Sequence, residues 1–148
     1  MIVGVKVKKL KVNYDQRGHL MEILRRDDKI FKEFGQVYIT TARPGIVKAW
    51  HYHKHQSDYF CCIYGKIKLV LYDARRSSKT FSQINEFILS LDTPCVVVIP
   101  PLVYHGFKTK SKFEAIVVNV PTQPYNRRSP DEYRIDPYKN NIPYDWKK

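Results

Sequence analysis

Apolar Val3, Val5 and Val7 are spaced by two with Lys6 and Lys8 between the later ones, and Leu10, Val12 and Tyr14 continue the alternation in a shifted phase. A period of two marks a half-buried strand, and the phase shift predicts two strand segments joined at a bulge. Asp15-Gln16-Arg17-Gly18 predicts a turn, after which come "HLMEIL", a short helix-like piece from Asp28 to Phe34, and a strand rich in β-formers over Gln36 to Ala42. After Arg43-Pro44-Gly45 the strands come densely: Val47 to His55, Tyr59 to Tyr64, Lys66 to Tyr72, Phe81 to Leu89, Cys95 to Ile99 and Phe113 to Val120. Gly65, Asp73, Asp92-Thr93-Pro94 and Pro100-Pro101 punctuate them at the short spacing of an all-β sandwich or barrel, with helix nearly absent. Residues 121–148 hold five of the nine prolines and five of the large aromatics, which predicts an irregular strap packed on the sheets.

Composition narrows the picture. At 148 residues and 43% hydrophobic content the chain suits one globular domain, 1–148. A formal charge of +12 admits nucleic acid or anionic lipid, but the basic residues are scattered rather than clustered, which favours a small anionic ligand such as a phosphate ester and no nucleic acid. No run approaches the roughly 18 apolar positions of a membrane span, and the start lacks a signal-peptide core, so no membrane association and a cytoplasmic location are expected. Three cysteines, two of them adjacent and pointing to opposite strand faces, predict neither a disulfide framework nor a thiolate zinc site.

The stretch "KAWHYHKHQSDYF" carries the chemistry. Continuous strand geometry puts His51, His53 and His55 on one face with Val47 and Ala49, and Lys48, Trp50, Tyr52 and Lys54 on the other. Histidines near a strand end are ordinarily solvated and inert; three together are not so easily dismissed. The spacing Gly45-x5-His51-x-His53-x4-Asp58-x6-Gly65, followed by Pro100-x-Leu102-x2-His105, resembles the two motifs of the cupin superfamily, with aspartate for the usual glutamate and leucine for the usual glycine. The resemblance implies a double-stranded β-helix, or jelly-roll barrel. Many cupins hold a divalent metal at these positions, so in a metal-bound form the ligands would be His51, His53, Asp58 and His105.

A narrower resemblance spans nearly the whole chain. The blocks "DQRGHLMEIL", "GQVYIT", "GIVKAWHYH", "YGKIKLVLYDARRSSKTF", "IPPLVYHGF" and "IDPYKNNIPYDW" are similar to successive blocks of the dTDP-4-dehydrorhamnose 3,5-epimerase family. It implies an enzyme without metal or other cofactor acting on a nucleotide-diphosphate sugar with a 4-keto group, in deoxysugar or polysaccharide synthesis, and a homodimer. By the same resemblance His51 is the base, His105 stabilises charge near the keto oxygen, Lys48 meets the diphosphate in place of an arginine, and Gln36 bonds the ligand. Arg17 and Glu22 would reach the nucleotide across the dimer interface. The pattern is broken in places: the family's catalytic tyrosine falls on Val118, its lysine near the ketone falls on Asp58, and the carboxylate that pairs with the base has no counterpart. Tyr125 is then the surrogate acid and Asp58 the candidate partner of His51, with His53 among the binding residues. "DARRSSKTF" is as readily a polar connection as a ligand segment.

Three readings stand at this point: a cofactor-free epimerase, inverting one or two centres; a sugar 3,4-ketoisomerase, in which His51 and His53 both move protons, or a metal-dependent cupin; and a binding module that has lost its acid.

Overall fold

The computed structural model describes residues 1–147, and strands dominate its regular structure. They are β1 (Lys6–Lys9), β2 (Val12–Asp15), β3 (Gly18–Met21), β4 (Tyr38–Ala42), β5 (Val47–Tyr52), β6 (Asp58–Tyr64), β7 (Lys66–Asp73), β8 (Ile84–Ser90), β9 (Cys95–Ile99), β10 (Val103–Thr109), β11 (Ala115–Asn119) and β12 (Tyr133–Arg134). Two five-stranded antiparallel sheets, ordered β1-β9-β6-β11-β4 and β12-β5-β10-β7-β8, face each other as a jelly roll without closing into a barrel; β2 and β3 form a separate hairpin.

The side-chain period of two explains which residues fill the space between the sheets. On β6, Phe60 and Cys62 join Leu69, Leu71, Val97, Phe107 and Val117 in the central core, while Tyr59 and Cys61 point outward. Both outer faces are also covered. Leu10 and the segment through Ile23, Leu24 and Ile30 pack on Tyr59, Cys61, Val96 and Val98; the carboxy-terminal strap brings Trp146 and Tyr144 onto Trp50 and Val70. A strand buried on both faces reads as a continuous apolar run, hence "YFCCIY". The cysteines are free, and burial pushes the Cys61 and Cys62 thiols up to about 12 and 11.

Four expectations change. The amino-terminal segments are not joined by a bulge: β1 pairs with β9 in the large sheet, whereas β2 pairs with β3. Residues 26–30 form turns and 31–34 run on without regular structure, not as a helix: the Tyr59 hydroxyl on β6 accepts from Lys32 N–H and donates to the Ile30 carbonyl, and the Asp28 carboxylate accepts locally from Arg25 N–H. The histidine strand ends at Tyr52, so His53 and His55 lie in the loop beyond it. Val103 to Thr109, unassigned from the sequence, is the central strand β10, its interior glycine hiding the strand signal.

Candidate active site

A cavity of about 1010 Å³ opens at one end of the sandwich. Its walls come from β4 and β5, on opposing sheets, with the 53–56 loop and the strap completing it. The register of β5 decides what it presents. His105 faces His51 and Phe107 faces Lys48, so two residues along β10 match three along β5, and β5 carries a bulge at Ala49-Trp50. The bulge reverses the phase. Lys48 and His51 therefore both line the cavity, and Trp50 turns outward to 0% exposure against the strap. Gly106 is required opposite the bulge, since a Cβ there would lie 2.2 Å from Ala49 Cβ. The strict alternation expected over Val47 to His55 is thus corrected.

His51 has a carboxylate partner, and it is Glu132 of the strap rather than Asp58. His51 Nδ1 lies 3.2 Å from Glu132 Oε1, and the same oxygen accepts from Arg134 at 2.6 Å. Nδ1–H donating to the carboxylate leaves the Nε2 lone pair free. Burial lowers the His51 pKa, outweighing the upward pull of Glu132, and Arg134 lowers it further. The ring is therefore neutral at neutral pH.

Asp58, 1% exposed, sits instead between two other imidazoles: Oδ2 is 3.2 Å from His53 Nε2 and 3.4 Å from His105 Nε2. His105 Nδ1 lies 3.2 Å from the Val103 carbonyl, and His53 Nδ1 hydrogen-bonds the Asp131 carbonyl. A carbonyl only accepts, so each Nδ1 carries hydrogen and each Nε2 faces a carboxylate oxygen. Burial pulls the His53 pKa down, but the hydrogen bond and charge of Asp58, with Asp131, hold it above its ordinary value; burial takes His105 down to about 4. The trio His53, Asp58 and His105 also has the donor set to hold a divalent cation. His51 is not part of that group, so the four-ligand cage expected from the motif is reduced to three.

The loop carrying His53 is held by Asp131, whose carboxylate accepts from the N–H groups of Lys54, His55 and Gln56 at 2.7, 2.9 and 3.1 Å. Lys48 Nζ donates to Thr40 Oγ1 and the Thr41 carbonyl, which leaves one N–H for a ligand. Gln36 Oε1 accepts from Tyr125 N–H at 3.1 Å. Tyr125 lines the rim, 51% exposed. Arg17, in the β2–β3 turn, and Glu22, just past the far end of β3, lie outside the cavity of their own chain, paired with Asp15 and Arg25. Asp73 organises "DARRSSKTF" by accepting from Arg75, Ser78 and Thr80, so that segment is a structural connection.

Three participants escaped the sequence reading. Glu132 and Arg134 had no spacing signal, since the strap is irregular. Tyr38 did: Gln36, Tyr38 and Thr40 alternate, and all three line the cavity.

A family model described as dTDP-4-dehydrorhamnose 3,5-epimerase matches residues 1–148. The chain belongs to the dTDP-4-dehydrorhamnose 3,5-epimerase family. It is accordingly a sugar-nucleotide epimerase by family. It is 39% identical to the probable low-salt glycan biosynthesis epimerase Agl13 of Haloferax volcanii, covering 98% of this chain and 94% of that one. It is 36% identical to the spore coat polysaccharide biosynthesis protein SpsL of Bacillus subtilis, covering 99% and 97%. The crystal structure of a dTDP sugar isomerase from Desulfovibrio desulfuricans G20 superposes with a TM-score of 0.94 at 28% identity, covering 99% of this chain and 92% of that one.

Proposed function

We propose that this chain, working as a single domain, epimerises a dTDP-linked 4-keto-6-deoxy sugar in polysaccharide or deoxysugar synthesis, with His51 as the base. The observation that carries this is the orientation of His51: Nδ1 is committed to Glu132 and Nε2 is open to the cavity. A C4 ketone acidifies the hydrogens on its neighbouring carbons, so a neutral imidazole can take one as a proton while the electron pair moves onto oxygen. Glu132 fixes the ring and stabilises the imidazolium that forms. Lys48, with one N–H to spare, and Arg134 face the anionic portions of the ligand, the diphosphate and the developing enolate. Buried His105 lies almost parallel to His51, ring centroids 6.0 Å apart, and both its nitrogens face protein acceptors. It buttresses the base. A homodimer in the cytoplasm fits this reading, with Arg17 at the turn of the β2–β3 hairpin and Glu22 just after β3 reaching a neighbouring subunit's cavity.

Incubation with a dTDP-linked 4-keto-6-deoxyhexose in deuterated water tests the assignment. Deuterium should enter at C3, C5 or both, and His51→Ala should reduce that incorporation by roughly 10²–10⁴-fold, the usual worth of a positioned base. Tight binding with no exchange in the unsubstituted protein would show a binding module instead.

A further inference from the structure

Inversion at carbon needs hydrogen removed from one face and returned to the other. The fold limits where the second group can stand. His51 and Lys48 lie on β5, in one sheet, so a donor on the far side of a ligand must come from the other sheet or from the cavity rim. Val118, where the family's tyrosine aligns, does not qualify: it packs in the outer cluster with Tyr59 and Cys61. The neighbouring Asn119 is buried, and its Nδ2 donates to the Tyr38 hydroxyl at 2.9 Å. Tyr38 stands on β4, beside β11 in the sheet opposite His51, and lines the same cavity.

The other candidates are engaged or misplaced. His53 turns Nδ1 to the Asp131 carbonyl and Nε2 to Asp58, and both nitrogens of His105 likewise face acceptors. The Tyr125 side chain sits on the rim, half exposed. The Tyr38 hydroxyl, by contrast, receives a hydrogen bond while its own O–H has no acceptor among the described residues.

Resting on the epimerase reading, we propose that Tyr38 is the catalytic acid, delivering hydrogen to carbon on the face opposite His51. The step balances. The C–H electron pair becomes the enolate as the proton passes to His51 Nε2; the enolate then takes the Tyr38 Oη proton, forming a C–H bond on the other face and restoring the ketone. Solvent reprotonates the phenolate and deprotonates the imidazolium. Tyr38 is 39% exposed, less than Tyr125 at 51%; its partial desolvation, reinforced by the Asp58 charge, raises its pKa, so the phenol is protonated at rest. The Asn119 amide N–H is placed to stabilise the phenolate left behind.

The test compares Tyr38→Phe, Tyr125→Phe and unsubstituted protein on a dTDP-linked 4-keto-6-deoxyhexose in deuterated water, following label and configuration by NMR. Tyr38→Phe should form epimerised product at least roughly 10²-fold more slowly. It should still introduce deuterium with retained configuration, because His51 returns a solvent-derived deuteron to the face it deprotonated. Tyr125→Phe, which alters only the cavity rim, should affect exchange and epimerisation to the same degree, without separating them. Undiminished epimerisation by Tyr38→Phe, or transfer of the loss to Tyr125→Phe, overturns the assignment. So does loss of exchange along with product, which would place Tyr38 in binding or enolisation. Unsubstituted protein that exchanges no label overturns the epimerase reading itself, and this one with it.

Discussion

A base is defined by what holds its other nitrogen, and here that group is Glu132. In Glu132→Gln the carboxylate charge is lost while the amide can still accept from Nδ1–H. The upward pull of Glu132 on His51 disappears, so the already lowered pKa falls further. Activity needs neutral His51 and is lost as pH drops through that pKa. The acidic limb of the kcat/KM profile should therefore move to lower pH, while the plateau falls by roughly 10²-fold as imidazolium stabilisation is lost. KM should change little. A limb moving to higher pH would show that the carboxylate does not set this titration. The sequence disclosed His51 through local spacing, whereas its partner lies 81 positions away in an irregular segment with no period to read. Tyr38 was within reach of sequence reasoning, since Gln36 on its own face had been singled out.

At the scale of elements, alternation identified most strands and failed where a neighbour overrode it. The bulge in β5 is the instructive case: one extra residue puts Lys48 and His51 in the same cavity and sends Trp50 outward, which strict alternation forbids. Residues 28–34 carry helical spacing, but Lys32 N–H and the Ile30 carbonyl bond the Tyr59 hydroxyl on β6. The strap is held by tertiary packing: Trp146 is 1% exposed, its ring centroid 5.0 Å from Trp50 and 4.9 Å from Tyr144. Trp146→Ala should cost about 3–5 kcal/mol in chemical denaturation, the usual range for a buried tryptophan. Because the same strap pairs β12 with β5 and presents Glu132, the variant should lose kcat under conditions where it remains folded. Full retention of kcat would mean that residues 131–134 hold their place without the tryptophan.

Across the whole molecule, a formal charge of +12 meets a ligand bearing a diphosphate. Scattered exposed charges act over about a Debye length, ~8 Å at physiological ionic strength and ~3 Å at 1 M salt. KM for the sugar nucleotide should rise several-fold between low and high salt with kcat nearly constant, and Lys48→Ala should flatten that dependence. A salt-independent KM would assign recognition to short-range contacts alone. Charge total was plain in the sequence; that Lys48 and Arg134 line one cavity was not, because the pairing of β12 with β5 brings the strap there.

The strap has one more consequence, in the order of biosynthesis. A growing polypeptide that has emerged through β11 already contains every strand of the sandwich except β12, and its imidazoles too, yet nothing steers His51 until residue 132 arrives. Such a nascent chain would carry the base without the carboxylate that orients it, so chemical competence would wait on the docking of residues 131–134 against β5.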